Sequence, residues 1–234
     1  MLKVAVLCSA RTPGLVHLLT RAARRGRDWD VVCCLTSEET FDDRATVAAA
    51  GVPVLSHPMR RFYDDHRVAV GDPALRPAYD AVTRDRLAPY SPDVVLLSGY
   101  LLLLTAPMLE AFEGRIFNAH HADLFARTAG GGPRYPGLRA VRDAILAGER
   151  ETRATVHVVT AALDDGPIVA RSDPFPVPEI ARWALASGSR DVLRGVIWAH
   201  QEWMLRSAFG PLFERTLDLV VDGRLPAVVQ ETAA

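Results

Sequence analysis

The sequence is poor in cysteine, has no long apolar run and carries no excess of either charge, and each absence removes a class of protein. Its 234 residues include three cysteines, Cys8, Cys33 and Cys34. An odd count, with two of them adjacent inside apolar runs, is not a disulfide framework. The three read as reduced residues lining buried strands. No stretch approaches the ~20 apolar residues that cross a bilayer, and the run within MLKVAVLCSARTPG (Met1–Gly14) is too short for a signal peptide. A cytoplasmic protein with no membrane partner is expected. Twenty-seven Lys and Arg against 28 Asp and Glu give a formal net charge of −1. That balance argues against a nucleic-acid partner, which needs a basic face, while a small anionic substrate needs only one or two arginines. Blocks of like charge, which would mark disordered tails, are absent too.

What is present is a 49% apolar composition, enough for the core of one large α/β domain. Short apolar runs that do not alternate recur at Leu2–Cys8, Trp29–Thr36, Pro53–Leu55 and Asp93–Gly99. Strands of that kind belong to a parallel sheet covered on both faces. Between them, Gly14–Arg25, Phe41–Ala50 and Ala78–Leu87 have helical patterning. The alternation gives a Rossmann-like, doubly wound, mostly parallel sheet with right-handed crossovers. After Gly114 the pattern changes. Arg115–His121 reads as a strand, a Gly/Pro-rich loop runs to Gly137, and a helix follows over Leu138–Ala147 with Leu138 on its apolar face. Thr155–Thr160 and Ile168–Phe175 read as antiparallel strands joined by a turn. Helical spacing returns over roughly Ser189–Val221. No repeat or linker divides the chain, so one domain is expected over 1–234: a Rossmann-like part (1–114), a catalytic part (115–176) and a C-terminal helical segment (177–234). The apolar face of that last helix packs on the sheet or joins two protomers, so a monomer or a homodimer is expected.

Polar residues gather where the strands end. Asn118, His120 and His121 close one strand, His157 lies in another, and Asp164 and Asp165 occupy the turn after it. Ligands of open α/β sheets lie beyond the carboxyl ends of the strands. Asn offers an amide donor, His a proton donor or acceptor near neutral pH, and Asp a base or an orienting charge. Those types suit acyl transfer to an amine, in which charge grows on a carbonyl oxygen while a proton leaves nitrogen. Taken alone, an N-x-H on a strand serves structure as readily as chemistry, and Leu163–Pro167 is an ordinary turn.

Together, four motifs resemble those of the formyltransferase family that uses 10-formyltetrahydrofolate. They are Asn118-Ala-His120, Tyr135-Pro-Gly137 leading to Ala144-Ile145, Thr155-Val-His157, and Leu163-Asp-Asp-Gly-Pro-Ile168. Leu2–Cys8 and Pro92–Tyr100 match the family's opening strand and its P-D-x-x-x-x-x-G-[FY] segment. Asp222-Gly-Arg-Leu225 is similar to the glycinamide ribonucleotide branch. The resemblance covers most of the chain and is weakest over 56–80 and 176–210. It implies the formyltransferase fold, with an antiparallel C-terminal part. It implies a transferase of one-carbon metabolism with 10-formyltetrahydrofolate as co-substrate, no metal, and a small-molecule amine as acceptor. Asn118, His120 and Asp164 are then catalytic: Asn118 and a protonated His120 face the oxyanion, while Asp164 raises the His120 pKa, holds a water and relays protons. The pterin is placed between the Gly99–Thr105 and Thr160–Asp165 loops, with Tyr100, Leu101, Leu103 and Leu104 on one side and Val159, Thr160, Leu163 and Asp165 on the other. Some of those leucines serve equally well as core. Acceptor contacts fall to Ser9, Arg11, Thr12, His121 and Arg134.

The sequence departs from the glycinamide ribonucleotide pattern in two places. The Gly-rich S-G-x-G-S-N turn that grips phosphate through backbone N–H groups reads Ser9-Ala-Arg-Thr-Pro-Gly14 here, and Pro13 has no N–H to give. A substrate-holding arginine of that branch falls at Leu102. An amino sugar, or an amino-acid or specialised-metabolite amine, therefore ranks ahead of glycinamide ribonucleotide as acceptor. The insertion Ala126–Pro133 reads as a flexible lid or a specificity loop. The nearest rival activity is formyltetrahydrofolate hydrolysis (deformylase) by the same trio; its relatives carry an added N-terminal regulatory domain, and its lack here favours transfer. A metal held by His120, His121, His157 and Asp164 is disfavoured, because adjacent strand residues point to opposite faces. A non-catalytic folate-binding protein is the remaining alternative.

Overall fold

The computed structural model describes residues 1–22 and 28–225. Among them are nine strands, β1 (Leu2–Cys8), β2 (Trp29–Thr36), β3 (Val54–Ser56), β4 (Val94–Leu97), β5 (Ile116–His120), β6 (Glu151–Thr152), β7 (Thr155–Val158), β8 (Ile168–Arg171) and β9 (Phe175–Pro176). Seven form one sheet in the order β3-β2-β1-β4-β5-β7-β8, and β6 pairs with β9 apart from it. β1 to β5 run parallel, whereas β7 and β8 are antiparallel additions. The chain winds outward from β1 to β3 and then crosses to β4 on the other side. The switch point between β1 and β4 is where such sheets place ligands.

Eight α-helices accompany the strands among the described residues: α1 (Leu15–Ala22), α2 (Arg44–Ala49), α3 (Met59–Asp65), α4 (Arg76–Leu87), α5 (Ala106–Ala111), α6 (Ala140–Leu146), α7 (Glu179–Ser187) and α8 (Arg190–Val221). Alternate strand residues feed two cores. Val4, Val6, Phe117, Val156 and Val158 meet Leu15 of α1 and Met204, Phe209 and Phe213 of α8. Ala5, Leu7, Val95, Leu97 and Ile116 meet Leu87 and Met108 on the opposite face. All three cysteines are buried and free, and burial pushes the Cys33 thiol up to about 12. α1 and α8 lie close enough that a Cβ on Gly210 would overlap the His17 ring.

Several elements differ from the sequence reading. α1 begins at Leu15, and residues 23–25 of the expected helix lie outside the described residues, as do 226–234 of the expected C-terminal segment. α3 has no counterpart in the sequence reading, because Met59–Asp65 is half charged, whereas α7, bounded by Pro178 and Gly188, falls inside the expected C-terminal helical segment (177–234). Leu138 was read as core-facing; the helix starts at Ala140, and Leu138 sits in the loop before it, 71% exposed. Ile168–Phe175 divides into β8 and β9. The single 32-residue helix α8 occupies the expected Ser189–Val221 region.

Two imidazoles, the buried His57 and the half-buried His121, make the fold sensitive to acid. Burial, aided by Arg86 and Arg76, lowers the His57 pKa to about 4, and burial followed by the charges of His120 and Arg11 lowers His121 to about 3. The unfolded chain takes up these protons near pH 6.5 while the folded chain refuses them, so stability is full above pH 6.5 and falls as the pH drops below it. At ~1.4 kcal/mol per pH unit per group, His57 alone predicts a loss of about 2 kcal/mol between pH 6.5 and pH 5. Denaturant midpoints at the two pH values check this, and equal midpoints would contradict it.

Candidate active site

The antiparallel register of β5 and β7 sets Asn118 opposite His157 and His120 opposite Thr155. Residues two apart on a strand share a face, so Asn118, His120 and His157 project together while their neighbours enter the α8 core. The loop after β7 doubles back to β8, with the Val158 N–H bonded to the Pro167 carbonyl at 2.8 Å. Near its turn Asp164 adopts a left-handed φ of 50°. Aspartate tolerates this conformation better than most residues, and such strain tends to persist where surrounding contacts fix it. It brings Asp164 Oδ2 to 3.5 Å from His120 Nδ1 and Oδ1 to 3.5 Å from His157 Nε2.

The Tyr135-Pro-Gly segment closes the cluster. His120 Nε2 donates to the Tyr135 carbonyl at 2.8 Å, and the Gly137 N–H donates to Asp164 Oδ2 at 2.7 Å. Gly137 has φ 74°, where a side chain would be strained. The carbonyl selects the His120 tautomer: with the proton on Nε2, Nδ1 keeps its lone pair and faces Asp164. His157 is fixed in the complementary way. Its Nδ1 donates to the Val158 carbonyl at 2.9 Å, so Nε2 accepts from Asn118 Nδ2 at 3.2 Å. His157 thus orients the Asn118 amide. The sequence places His157 in the polar cluster at the strand ends without a catalytic or binding role; its place opposite Asn118, which supplies that role, is readable once β5 and β7 are paired.

Burial lowers the His120 pKa, the Asp164 charge and the Tyr135 hydrogen bond oppose this, and the net direction is down. The sequence expectation that Asp164 raises the His120 pKa holds for that contribution, but desolvation outweighs it, and the net direction favours the neutral ring. Asp164 is pushed up by burial and down, more strongly, by its contacts with His157, His120 and the Gly137 N–H, so it stays ionised. A neutral base beside a fixed carboxylate can accept a proton and then be stabilised as the cation.

The remaining candidate positions divide. Leu101 (56% exposed), Leu103 (66%) and Leu163 (48%) present apolar surface on the loops after β4 and β7, and Leu138 joins them. Tyr100 and Leu104 are instead buried in the core around Met108, so they support the loop from below. Val159 and Thr160 are half-buried and Asp165 is exposed. Ser9 and Thr12 are buried and spoken for: Ser9 Oγ lies 2.8 Å from Ser37 Oγ and accepts from the Leu101 N–H, and Thr12 Oγ1 donates to Asp43. Arg11 pairs with Glu202 of α8 at 2.7 Å. Arg134 pairs with Glu149 at 3.1 Å. His121 points to the opposite face from His120 and packs on Phe209, ring centroids 4.6 Å apart. Among the described residues no three His, Cys, Asp or Glu side chains gather as a metal would require.

The Ala126–Pro133 insertion forms a short hairpin, with Arg127 bridging Pro133 and Thr128 N–H bonded to the Gly132 carbonyl. Arg127 pairs with Asp165, next to Asp164. The hairpin therefore braces the strained loop from one side while Gly137 holds it from the other. Arg127→Ala is expected to lower kcat several-fold and leave the Tm within about a degree, since half-exposed pairs contribute ~1 kcal/mol or less. Steady-state kinetics beside a thermal melt check this, and an unchanged kcat would remove the brace. Gly166→Ala should do more damage, because a Cβ there would overlap the Val158 carbonyl oxygen. Forced overpacking of this kind costs ~1–3 kcal/mol or more, and a lower melting temperature together with lost activity is the expected readout.

The doubly wound sheet with antiparallel additions is a group-transfer fold here: the chain belongs to the formyl transferase family, whose model matches residues 2–179. It is 29% identical over 225 residues to the trifunctional purine biosynthetic protein adenosine-3 of Drosophila melanogaster, covering 94% of this chain and 14% of that one. It is 35% identical over 130 residues to the phosphoribosylglycinamide formyltransferase of Mycobacterium tuberculosis (strain CDC 1551 / Oshkosh), covering 56% of this chain and 51% of the relative. The alignments thus span about half of the mycobacterial relative and a small part of the insect one. Among solved structures, glycinamide ribonucleotide transformylase 1 from Symbiobacterium toebii superposes with a TM-score of 0.69 at 28% identity, over 97% of this chain and 90% of that one. A formyltetrahydrofolate deformylase from Pseudomonas syringae shares the fold, with a TM-score of 0.62 at 24% identity over 87% and 61%.

Proposed function

We propose that this protein transfers the formyl group of 10-formyltetrahydrofolate to the amine of a small molecule, with Asn118, His120 and Asp164 as catalytic residues. The observation that carries the reading is the arrangement of His120: one nitrogen is committed to the Tyr135 carbonyl and the other keeps its lone pair beside an ionised Asp164. Folate fits what is present, since the exposed leucines 101, 103 and 163 offer cover for a flat apolar ring. When bound it supplies the formyl carbon and the leaving nitrogen. The acceptor nitrogen bonds to that carbon, and the charge that gathers on its oxygen is met by the Asn118 amide N–H. His120 Nδ1 takes the proton released by the acceptor, with Asp164 stabilising the cation. The proton then passes to the folate nitrogen as the carbon–nitrogen bond to it breaks.

The acceptor is proposed to lack a phosphate. In the turn after β1 the Ser9 and Thr12 hydroxyls are buried in internal bonds, Pro13 has no N–H, and the Arg11 guanidinium is held by Glu202. An amino sugar, or an amino-acid or specialised-metabolite amine, suits such a turn better than glycinamide ribonucleotide does. The test is the absorbance of released tetrahydrofolate from 10-formyltetrahydrofolate, with and without a panel of amines that includes glycinamide ribonucleotide. Release that requires one phosphate-free amine supports both statements. Release that requires glycinamide ribonucleotide keeps the transferase and overturns the acceptor class, whereas release without any amine makes the protein a hydrolase.

A further inference from the structure

A cavity of about 580 Å³ opens at the carboxyl end of β3, between α3 and α4, and neither the catalytic trio nor the folate loops line it. Its volume is within the range of small-molecule sites. At its base is His57, 3% exposed. The ring stacks on Tyr79 (centroids 4.1 Å apart, 8° between planes) and meets the edge of Phe62 at 5.3 Å. The Thr83 hydroxyl spends its proton on the Tyr79 carbonyl at 3.1 Å. At the 3.0 Å contact with Thr83 Oγ1 the ring must therefore donate from Nδ1, which leaves Nε2 as an acceptor. Nε2 is buried and has no partner. A buried acceptor of this kind is uncommon and calls for a donor. The ring stays in the acceptor form near neutrality, because burial and the Arg86 and Arg76 charges oppose its protonation.

The wall around this base carries both signs of charge. Arg86 gives one N–H to the Ser56 carbonyl at 2.8 Å and, among the described residues, has no carboxylate partner; Glu39 has no cationic partner there either. Arg61 and Asp65 are only loosely paired, at 4.0 Å. A ligand that satisfies all three features needs an N–H donor for His57, a cation for Glu39 and a carboxylate for Arg86. The geometry points to this cavity as a binding site for a free α-amino acid, separate from the formyl-transfer site. The ammonium group meets His57 Nε2 and Glu39, and the carboxylate meets Arg86. Phe62, whose ring edge meets His57, lines the same cavity.

The experiment uses the whole chain labelled with ¹⁵N-histidine, following the His57 Nε2 resonance, assigned with His57→Gln. The twenty standard α-amino acids are added one at a time, with inorganic phosphate as the anion-only control and ethanolamine as the cation-only control. At least one amino acid should shift the resonance saturably, and Arg86→Ala and Glu39→Gln should each weaken that binding about tenfold or more. Both are surface changes outside the formyl-transfer machinery, so the result stands even where His57→Gln fails to fold and assignment rests on Thr83→Val. The inference is overturned by no shift with any amino acid, by an equal shift with phosphate or ethanolamine alone, or by binding that both surface variants leave unchanged. None of these outcomes depends on formyl transfer, so this site and the proposed activity stand or fall separately.

Discussion

Asn118→Ala should lower kcat ~100- to 1000-fold, the usual effect of losing one donor aimed at a developing oxyanion, with little change in KM for the folate. The reason lies in where the amide is held. His157 accepts one Asn118 N–H at 3.2 Å and cannot rotate away, because its own Nδ1 is fixed on the Val158 carbonyl. The second N–H is thereby set in direction before substrate arrives, and a preset dipole needs no reorganisation as charge develops. His157→Ala should reproduce part of the loss, with kcat falling and KM nearly constant. Single-turnover and steady-state rates for the two variants check this. Near-normal turnover in Asn118→Ala would take Asn118 out of the mechanism.

His120→Ala should lower kcat/KM ~100- to 10,000-fold, the range of general acid–base catalysis, and the pH profile shows whether the ring acts as a base. His120 must be neutral to accept a proton, so kcat/KM falls as the pH drops through its pKa. Burial has moved that pKa below 6.5, which puts the acid limb of the wild-type profile below pH 6.5. Asp164 opposes the shift, so Asp164→Asn, which keeps an oxygen for the Gly137 N–H, should move the limb lower still while reducing the plateau. A limb that stays in place in Asp164→Asn would separate the carboxylate from the histidine, and one well above pH 6.5 in wild type would mean that another group titrates.

The candidate site was legible in unequal parts. Asn118 and His120 share a strand, so their common face follows from the period of two, and the turn carrying Asp164 was marked by its Gly and Pro. The leucine run shows where such reading ends: Leu101 and Leu103 are exposed while Leu104 is buried. A run of four identical residues in a loop has no period from which to choose. The β1–α1 turn behaves likewise. Ser9, Arg11 and Thr12 have chemistry suited to an anion, yet Ser37, Glu202 and Asp43, 28, 191 and 31 residues away in sequence, take them up.

By itself the sequence determined the doubly wound order of β1 to β5, the antiparallel return and the three cysteines as core, because burial on both faces of a sheet leaves a continuous apolar signature in each strand. It also determined the site's chemical inventory. Only the tertiary structure decided what each group can do with it. The neutrality of His120, the orienting role of His157, the bracing of Asp164 by Arg127 and Gly137, and the unpartnered Nε2 of His57 all depend on desolvation and on partners far away in the chain. Both are set by packing, and neither has a local sequence signal.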